Sequence, residues 1–235
     1  MRVLLFLIYL FSIACNSNIR KQANYENPPV ISLKELFFQL PNEAFYIEAY
    51  RRSISKEERQ IIMQSTTPEK AAVLSSNFVL DTIESSNSFL AFRSFANDDG
   101  VSVALKTWHR KDQSLIVGVI VSMGEHCCDY SKIKLFQYKN RRFKEVTEKL
   151  LPKLKVEDFA PNIDATTKAL LAMSLQISIR AFPENDSLEV SSYRTPAMFD
   201  LYYSHDIEIE LNDQELILAW TGNRFFIHAI RPLPY

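Results

Sequence analysis

Two short clusters in the sequence combine residue types that carry chemistry. His126-Cys127-Cys128-Asp129 gathers an imidazole, two thiols and a carboxylate, a donor set suited to zinc or copper, or to redox chemistry in an oxidising compartment. Its spacing works against these uses. Adjacent Cα atoms lie about 3.8 Å apart across a trans peptide, whereas an ordinary disulfide spans roughly 4.4 to 6.8 Å, so a vicinal bridge would be strained. Structural zinc sites separate their cysteines by two or more residues and take four ligands. No metal is expected here; Cys127 and Cys128 read as inert thiols near a loop, with a redox pair as the alternative. The second cluster, Asp206, Glu208 and Glu210, recurs at every other residue, so on a strand the three carboxylates share one face at about 7 Å spacing. That separation suits an inverting glycosidase, but the solvated outer face of an amphipathic strand explains the same letters. No catalytic residue is nominated.

The remaining candidates are single features. Asn97-Asp98-Asp99-Gly100 lacks the alternating oxygen ligands of a calcium loop, and the tetrad reads as a tight turn. His109, His205 and His228 are isolated. Tyr202, Tyr203 and Trp108 could stack on sugar rings, although aromatic residues in strands ordinarily fill the core. Only four glycines occur, and none has the spacing of a phosphate-cradling loop, a dinucleotide fingerprint or a nucleophile elbow. No cofactor is expected. With 27 Lys plus Arg against 28 Asp plus Glu, the chain has no general positive field to draw in nucleic acid.

The amino terminus carries an address. Met1-Arg2 precedes an unbroken apolar run, Val3 to Phe11, the length of a signal-peptide core and too short for a span of roughly 20 helical residues. The run ends in Ser12-Ile13-Ala14-Cys15, which resembles a bacterial lipobox, with Ser12 at the position more often held by Leu. The resemblance implies cleavage before Cys15 and a lipid on its thiol. Residues 1–14 are thus read as a lipoprotein signal peptide. Residues 15–31 follow as a polar tether interrupted by Pro28-Pro29, with a reach of about 20 Å.

The elements beyond the tether alternate between two periods. Ser32-x-x-Glu35 and Ser55-x-x-Glu58 are capping boxes ahead of apolar residues at helical spacing. After Asn77 the period becomes two, and six strand candidates follow in a meander from Val79 to Val146, closed by a hairpin about Lys139-Asn140. Residues 150–165 break the pattern with Pro152 and Pro161 and form the best internal boundary. Further strands are expected over Ser174–Phe182, Ser187–Tyr193, Ile207–Leu211, Glu215–Trp220 and Arg224–Ile230. Leu135-x4-Asn140-Arg141-x-Phe143 recurs as Leu218-x4-Asn223-Arg224-x-Phe226, which leaves a duplication into two similar β-rich halves as an open alternative. The expected fold is α+β: amino-terminal helices packed on antiparallel meander sheets, in a single domain over 32–235.

Leu36-Phe37-Phe38-Gln39-Leu40-Pro41, the stretch from Leu150-Leu151-Pro152 to Glu157-Asp158-Phe159, and the closing Trp220-Thr221-Gly222-Asn223-Arg224-Phe225 together resemble a family of exported Bacteroidales proteins built on a domain of unknown function. The resemblance implies a cell-envelope location and carries no catalytic residue across. The expected role is a lipoprotein, outer-membrane anchored, that binds a protein or glycan partner or serves envelope assembly. A glycan hydrolase using paired carboxylates is the alternative.

Overall fold

The first described helices start where the sequence itself supplies partners for their unsatisfied amides. The computed structural model describes residues 31–83, 88–95, 100–124, 130–159, 165, 168–169, 176–193 and 214–232. Ser32 caps α1 (Leu33–Gln39): its hydroxyl accepts from the Glu35 amide at 3.2 Å, and the Glu35 carboxylate accepts from the Ser32 amide at 2.9 Å. Ser55 and Glu58 repeat the arrangement at α2 (Lys56–Ile62). Leu40, held extended by the following Pro41, ends α1. A 3-10 turn over Asn42–Phe45 and the two-residue strands β1 (Tyr46–Ile47) and β2 (Arg52–Ser53) fill the space between α1 and α2. A third helix, α3 (Pro68–Val73), is capped by Thr67 and begins with proline, whose missing amide costs nothing there.

The alternating segment forms one antiparallel sheet of six strands in sequence order: β3 (Phe78–Ile83), β4 (Phe89–Ser94), β5 (Ser102–His109), β6 (Leu115–Met123), β7 (Tyr130–Lys139) and β8 (Arg142–Glu145). This is the expected meander. The helices α4 (Thr147–Leu150) and α5 (Val156–Phe159) follow. A second antiparallel sheet then runs through β9 (Gln176–Ala181), β10 (Ser187–Tyr193), β11 (Gln214–Trp220) and β12 (Phe225–Pro232), also in sequence order. The described chain is therefore mostly antiparallel sheet with few, short helices. Those helices are not confined to the amino terminus as expected, since α4 and α5 lie between the strands of the two sheets.

Strand period places the core. On one face of the large sheet Phe92, paired with Val103, meets Phe37 of α1 and Phe78 at ring-centroid distances of 5.7 and 5.6 Å. On the opposite face Trp108, Ile116, Ile120, Ile133 and Leu135 pack against Ile179, Leu188, Val190, Leu216, Leu218 and Phe225 of the small sheet. With neighbours on both sides, β6 is buried along nearly its whole length, which explains why its sequence is apolar without alternation.

Polar side chains latch the sheets at their turns. Lys106, only 2% exposed, stands between Ala104 and Trp108 on the face turned to the small sheet, and its Nζ donates to the carbonyls of Phe182 and Pro183 at 2.9 Å each. Trp108 Nε1 donates to the Asp186 carbonyl at 3.0 Å. All three bonds end on the turn between β9 and β10, so burial of a lysine and an indole N–H leaves neither without acceptors.

The repeated motif does not produce the same turn twice. Between β7 and β8 the turn residues Asn140 and Arg141 both have positive φ (53° and 60°), whereas between β11 and β12 it is Gly222 that takes positive φ, at 84°. The shared letters thus mark two hairpins of different geometry.

On the outer face of the small sheet Arg231 bridges two carboxylates, its Nε 2.6 Å from Glu215 and its Nη2 2.5 Å from Glu189. Burial first, then the charge of Glu215, pushes the Glu189 carboxyl above its ordinary value, and Arg231 opposes the shift. A raised carboxyl pKa means that the folded chain holds a proton more tightly than the unfolded one, so this group's stabilisation is present at low pH and fades as pH rises from 4.5 upward. Arg231→Leu removes the compensating cation. The variant's melting temperature is expected to fall further behind the wild type as pH is raised from about 4 to 7, and the two should converge in acid. A gap independent of pH would exclude the ion triad as its cause.

Candidate functional site

Most residues singled out from the sequence fall outside the described residues: Cys15, Cys127 and Cys128 with His126 and Asp129, the Asp206, Glu208 and Glu210 row, Asp98 and Asp99, Tyr202, Tyr203 and His205. Trp108 is described, and it is no sugar platform. It is 1% exposed and stands edge-on to Phe225 at 5.1 Å, inside the core between the sheets. His109 and His228 are exposed: His109 offers its backbone carbonyl to Trp220 Nε1 at 2.9 Å, and the His228 ring stands 5.9 Å from Phe226. Among the described residues no three His, Cys, Asp or Glu side chains are placed to hold a metal ion, and no helix is long and apolar enough to cross a membrane.

The structure instead assembles a cleft of about 510 Å³ from residues that lie far apart in sequence. Two turns and the β7–β8–α4 segment build it. Arg110 comes from the turn joining β5 to β6. There Asp112 accepts from the Ser114 hydroxyl at 2.6 Å and from the Ser114 amide at 3.2 Å, while Gln113 takes a positive φ of 62°. The Ser114 hydroxyl bond is the main reason the Asp112 carboxyl sits below its ordinary value, with Arg110 and Lys139 adding to the effect. Asp112 therefore stays charged and faces Arg110 at 3.9 Å and Lys139 at 3.5 Å.

The turn joining β11 to β12 supplies Thr221, Asn223 and Arg224. Its shape is set locally: Thr221 Oγ1 donates to the Arg224 carbonyl at 2.8 Å and accepts from the amides of Asn223 and Arg224 at 3.3 and 3.1 Å. Gly222 is favoured there by its φ of 84°, a conformation that residues with a Cβ rarely adopt. The Lys111 amide donates to the Gly222 carbonyl at 3.2 Å, tying this turn to the first. The third contribution comes through β7 and β8. Gln137 Nε2 donates to Ser114 Oγ at 3.1 Å, Lys144 stands opposite Gln137 in the register, and α4 adds Lys149 with Leu150. The α4 turn is fixed to the sheet by Leu135, whose amide donates to Thr147 Oγ1 at 2.9 Å.

Four of the nine lining residues are cationic, Arg110, Lys144, Lys149 and Arg224, and none is acidic. Among the described residues Lys144, Lys149 and Arg224 have no ion-pair partner. Arg110 Nε is buried without a hydrogen bond, its nearest carboxylate being Asp112 at 3.9 Å. In a chain of net charge −1 this local excess is a feature of the cleft and not of the protein as a whole. Converging cations in a concave, partly apolar site focus positive potential and favour an anion there. The amide side chains of Gln137 and Asn223 at its wall can orient a bound oxygen-rich group, while Val146 and Leu150 close it on an apolar side.

Sequence reading missed this site because each cation lies on a turn or an edge, where a charged residue needs no explanation. One signal was available. The closing motif Trp220 to Phe225 contains Thr221, Asn223 and Arg224, three of the lining residues.

No protein-family profile and no curated protein matches the sequence. Among solved structures the chain is similar to a domain of an uncharacterized protein from Porphyromonas gingivalis W83, at 17% sequence identity and a TM-score of 0.53, over 83% of this chain and 97% of that one. The likeness is one of fold: this chain shares its architecture with a domain from a Bacteroidales bacterium.

Proposed function

We propose that the protein is an exported lipoprotein of the Bacteroidales cell envelope, held to the outer membrane by lipid on Cys15, whose globular part is a non-enzymatic module binding a glycan or protein partner. The observation that carries the binding reading is the cleft, with four cations and no carboxylate in its lining. Hydrolysis of a glycosidic bond canonically uses two carboxyl groups, one to donate a proton and one to act as base or nucleophile. The cleft offers neither. The close pair formed by Glu189 and Glu215 is bound by Arg231 and lies outside the cleft lining. A cationic lining holds an anionic ligand by charge and charge-assisted hydrogen bonds. The export reading rests on Arg2, the apolar run to Phe11 and the small residues before Cys15, and the polar 15–31 segment serves as the tether.

Two measurements test this. Cells fed labelled fatty acid are expected to label the wild-type chain and not Cys15→Ala; equal labelling of both defeats the anchoring reading. The purified full chain is expected to release no new reducing ends from peptidoglycan, plant or host glycans. Sustained release that disappears on an Asp or Glu to amide substitution would replace the binding module by a hydrolase.

A further inference from the structure

We infer that the cationic cleft is a binding site for an acidic saccharide, a hydroxylated sugar bearing a carboxylate or phosphate; this deepens the binding reading above and rests on it. The argument starts from charge. Lys144 on β8, Lys149 on α4 and Arg224 on the β11–β12 turn reach one cleft from three separate elements. None of these three has an ion-pair partner among the described residues. Arg110, whose buried Nε has no hydrogen bond, adds a fourth cation to the same cleft. Unpaired like charges around one concavity repel each other, and an oxyanion placed among them removes that cost. Arginine presents a fork that matches carboxylate or phosphate oxygens in pairs, whereas lysine adds a point charge.

The uncharged lining selects what carries the oxyanion. Asn223 sits beside Arg224 on a turn whose backbone is fixed by the hydrogen bonds of the Thr221 hydroxyl, so the two residues are held at the cleft without a large backbone ordering cost. Gln137 is oriented by its bond to Ser114 Oγ. Amide groups of this kind suit more than one ligand hydroxyl at once, and Val146 and Leu150, largely buried in the core, close the wall behind them. The cleft, at about 510 Å³, falls in the size range of small-ligand pockets. An acidic peptide matches the charge but leaves the hydroxyl-binding wall without a purpose.

The test is calorimetric titration of the full chain in detergent with trigalacturonate, glucose 6-phosphate, maltotriose and hexaglutamate. Saturable binding of trigalacturonate or glucose 6-phosphate is expected, with maltotriose at least ten-fold weaker, and the tighter of the two acidic ligands identifies the oxyanion. The Lys144→Gln/Arg224→Gln double variant should lose ten-fold or more in affinity while its melting temperature stays unchanged, since neither side chain is engaged in the fold. Lys149→Gln alone should lose less. Equal binding of maltotriose, tighter binding of hexaglutamate, affinity unaffected in the double variant, or no binding of either acidic ligand would each overturn the proposal. Failure here leaves lipid labelling of Cys15 untouched. Conversely, cleavage of bound trigalacturonate would defeat the non-enzymatic reading while leaving the ligand class standing.

Discussion

Arg59→Met is expected to destabilise the fold by about 3 kcal/mol or more, a loss of roughly 6 to 12 °C in melting temperature for a domain of this size. Arg59 is 1% exposed. Its Nη1 donates to Ile54 O and Asn42 Oδ1, both at 3.0 Å, and its Nη2 donates to Leu40 O at 2.9 Å. The guanidinium also lies over the Phe45 ring, 4.6 Å from its centroid. One planar group therefore joins the end of α1, the 3-10 turn and the approach to α2. Burial draws its pKa down to about 10, which still leaves it charged at any physiological pH. Methionine fills a similar volume but leaves the carbonyls of Leu40 and Ile54 buried without donors, and each such orphan costs about 1 to 3 kcal/mol. Arg59→Lys keeps the charge and loses the fork, so an intermediate loss is expected. Urea titration of the three proteins decides the matter. Equal midpoints for Met and wild type would mean that water replaces the guanidinium at no cost.

Arg59 also shows where sequence reading reaches its limit. The capping boxes at Ser32 and Ser55 were legible because all their partners lie within four residues. The same local logic exposes a charged residue in the middle of KEERQII as a solvated one. Arg59 lies three residues before buried Ile62, on the inward face of α2, and only the arrival of three carbonyl and amide acceptors from α1 and its sequel makes that position tolerable. Lys106 repeats the lesson in a strand. Its register with Ala104 and Trp108 points it toward the small sheet, where the β9–β10 turn provides two carbonyls.

The meander was legible for a different reason. Each strand from β3 to β8 pairs with its neighbour in sequence, so alternation and turn residues were sufficient to order the sheet. The packing of the second sheet onto the first was not, because it depends on faces and not on order. The cleft inherits that difficulty. Its residues run from Arg110 to Arg224 and meet only because the Lys111 amide bonds to Gly222 and Trp220 bonds to His109. Both contacts join the ends of the two sheets, and no local pattern records them.

Gly118 and Trp108 give the second large effect, and they test the packing of the two sheets directly. Gly118 stands mid-strand in β6, where a glycine ordinarily weakens a sheet. Here it makes room: a Cβ would lie 2.7 Å from Trp108 Cζ3, 3.1 Å from Cη2 and 3.2 Å from Leu135 Cδ2. The indole has nowhere to go, being bonded through Nε1 to Asp186 O at 3.0 Å and set edge-on against Phe225 at 5.1 Å. Gly118→Ala is therefore expected to cost about 1 to 3 kcal/mol through overpacking, and Trp108→Ala about 3 to 5 kcal/mol through the cavity it leaves. The sharper expectation concerns the pair. With Trp108→Leu the atoms that clash with the new methyl are gone, so adding Gly118→Ala to that background should cost almost nothing or restore some stability. The cycle built from Gly118→Ala and Trp108→Leu should then show a coupling of about 1 kcal/mol or more. Urea unfolding of the four proteins measures it, and additivity to within about 0.5 kcal/mol would show that the indole moves aside and does not hold the sheets in place.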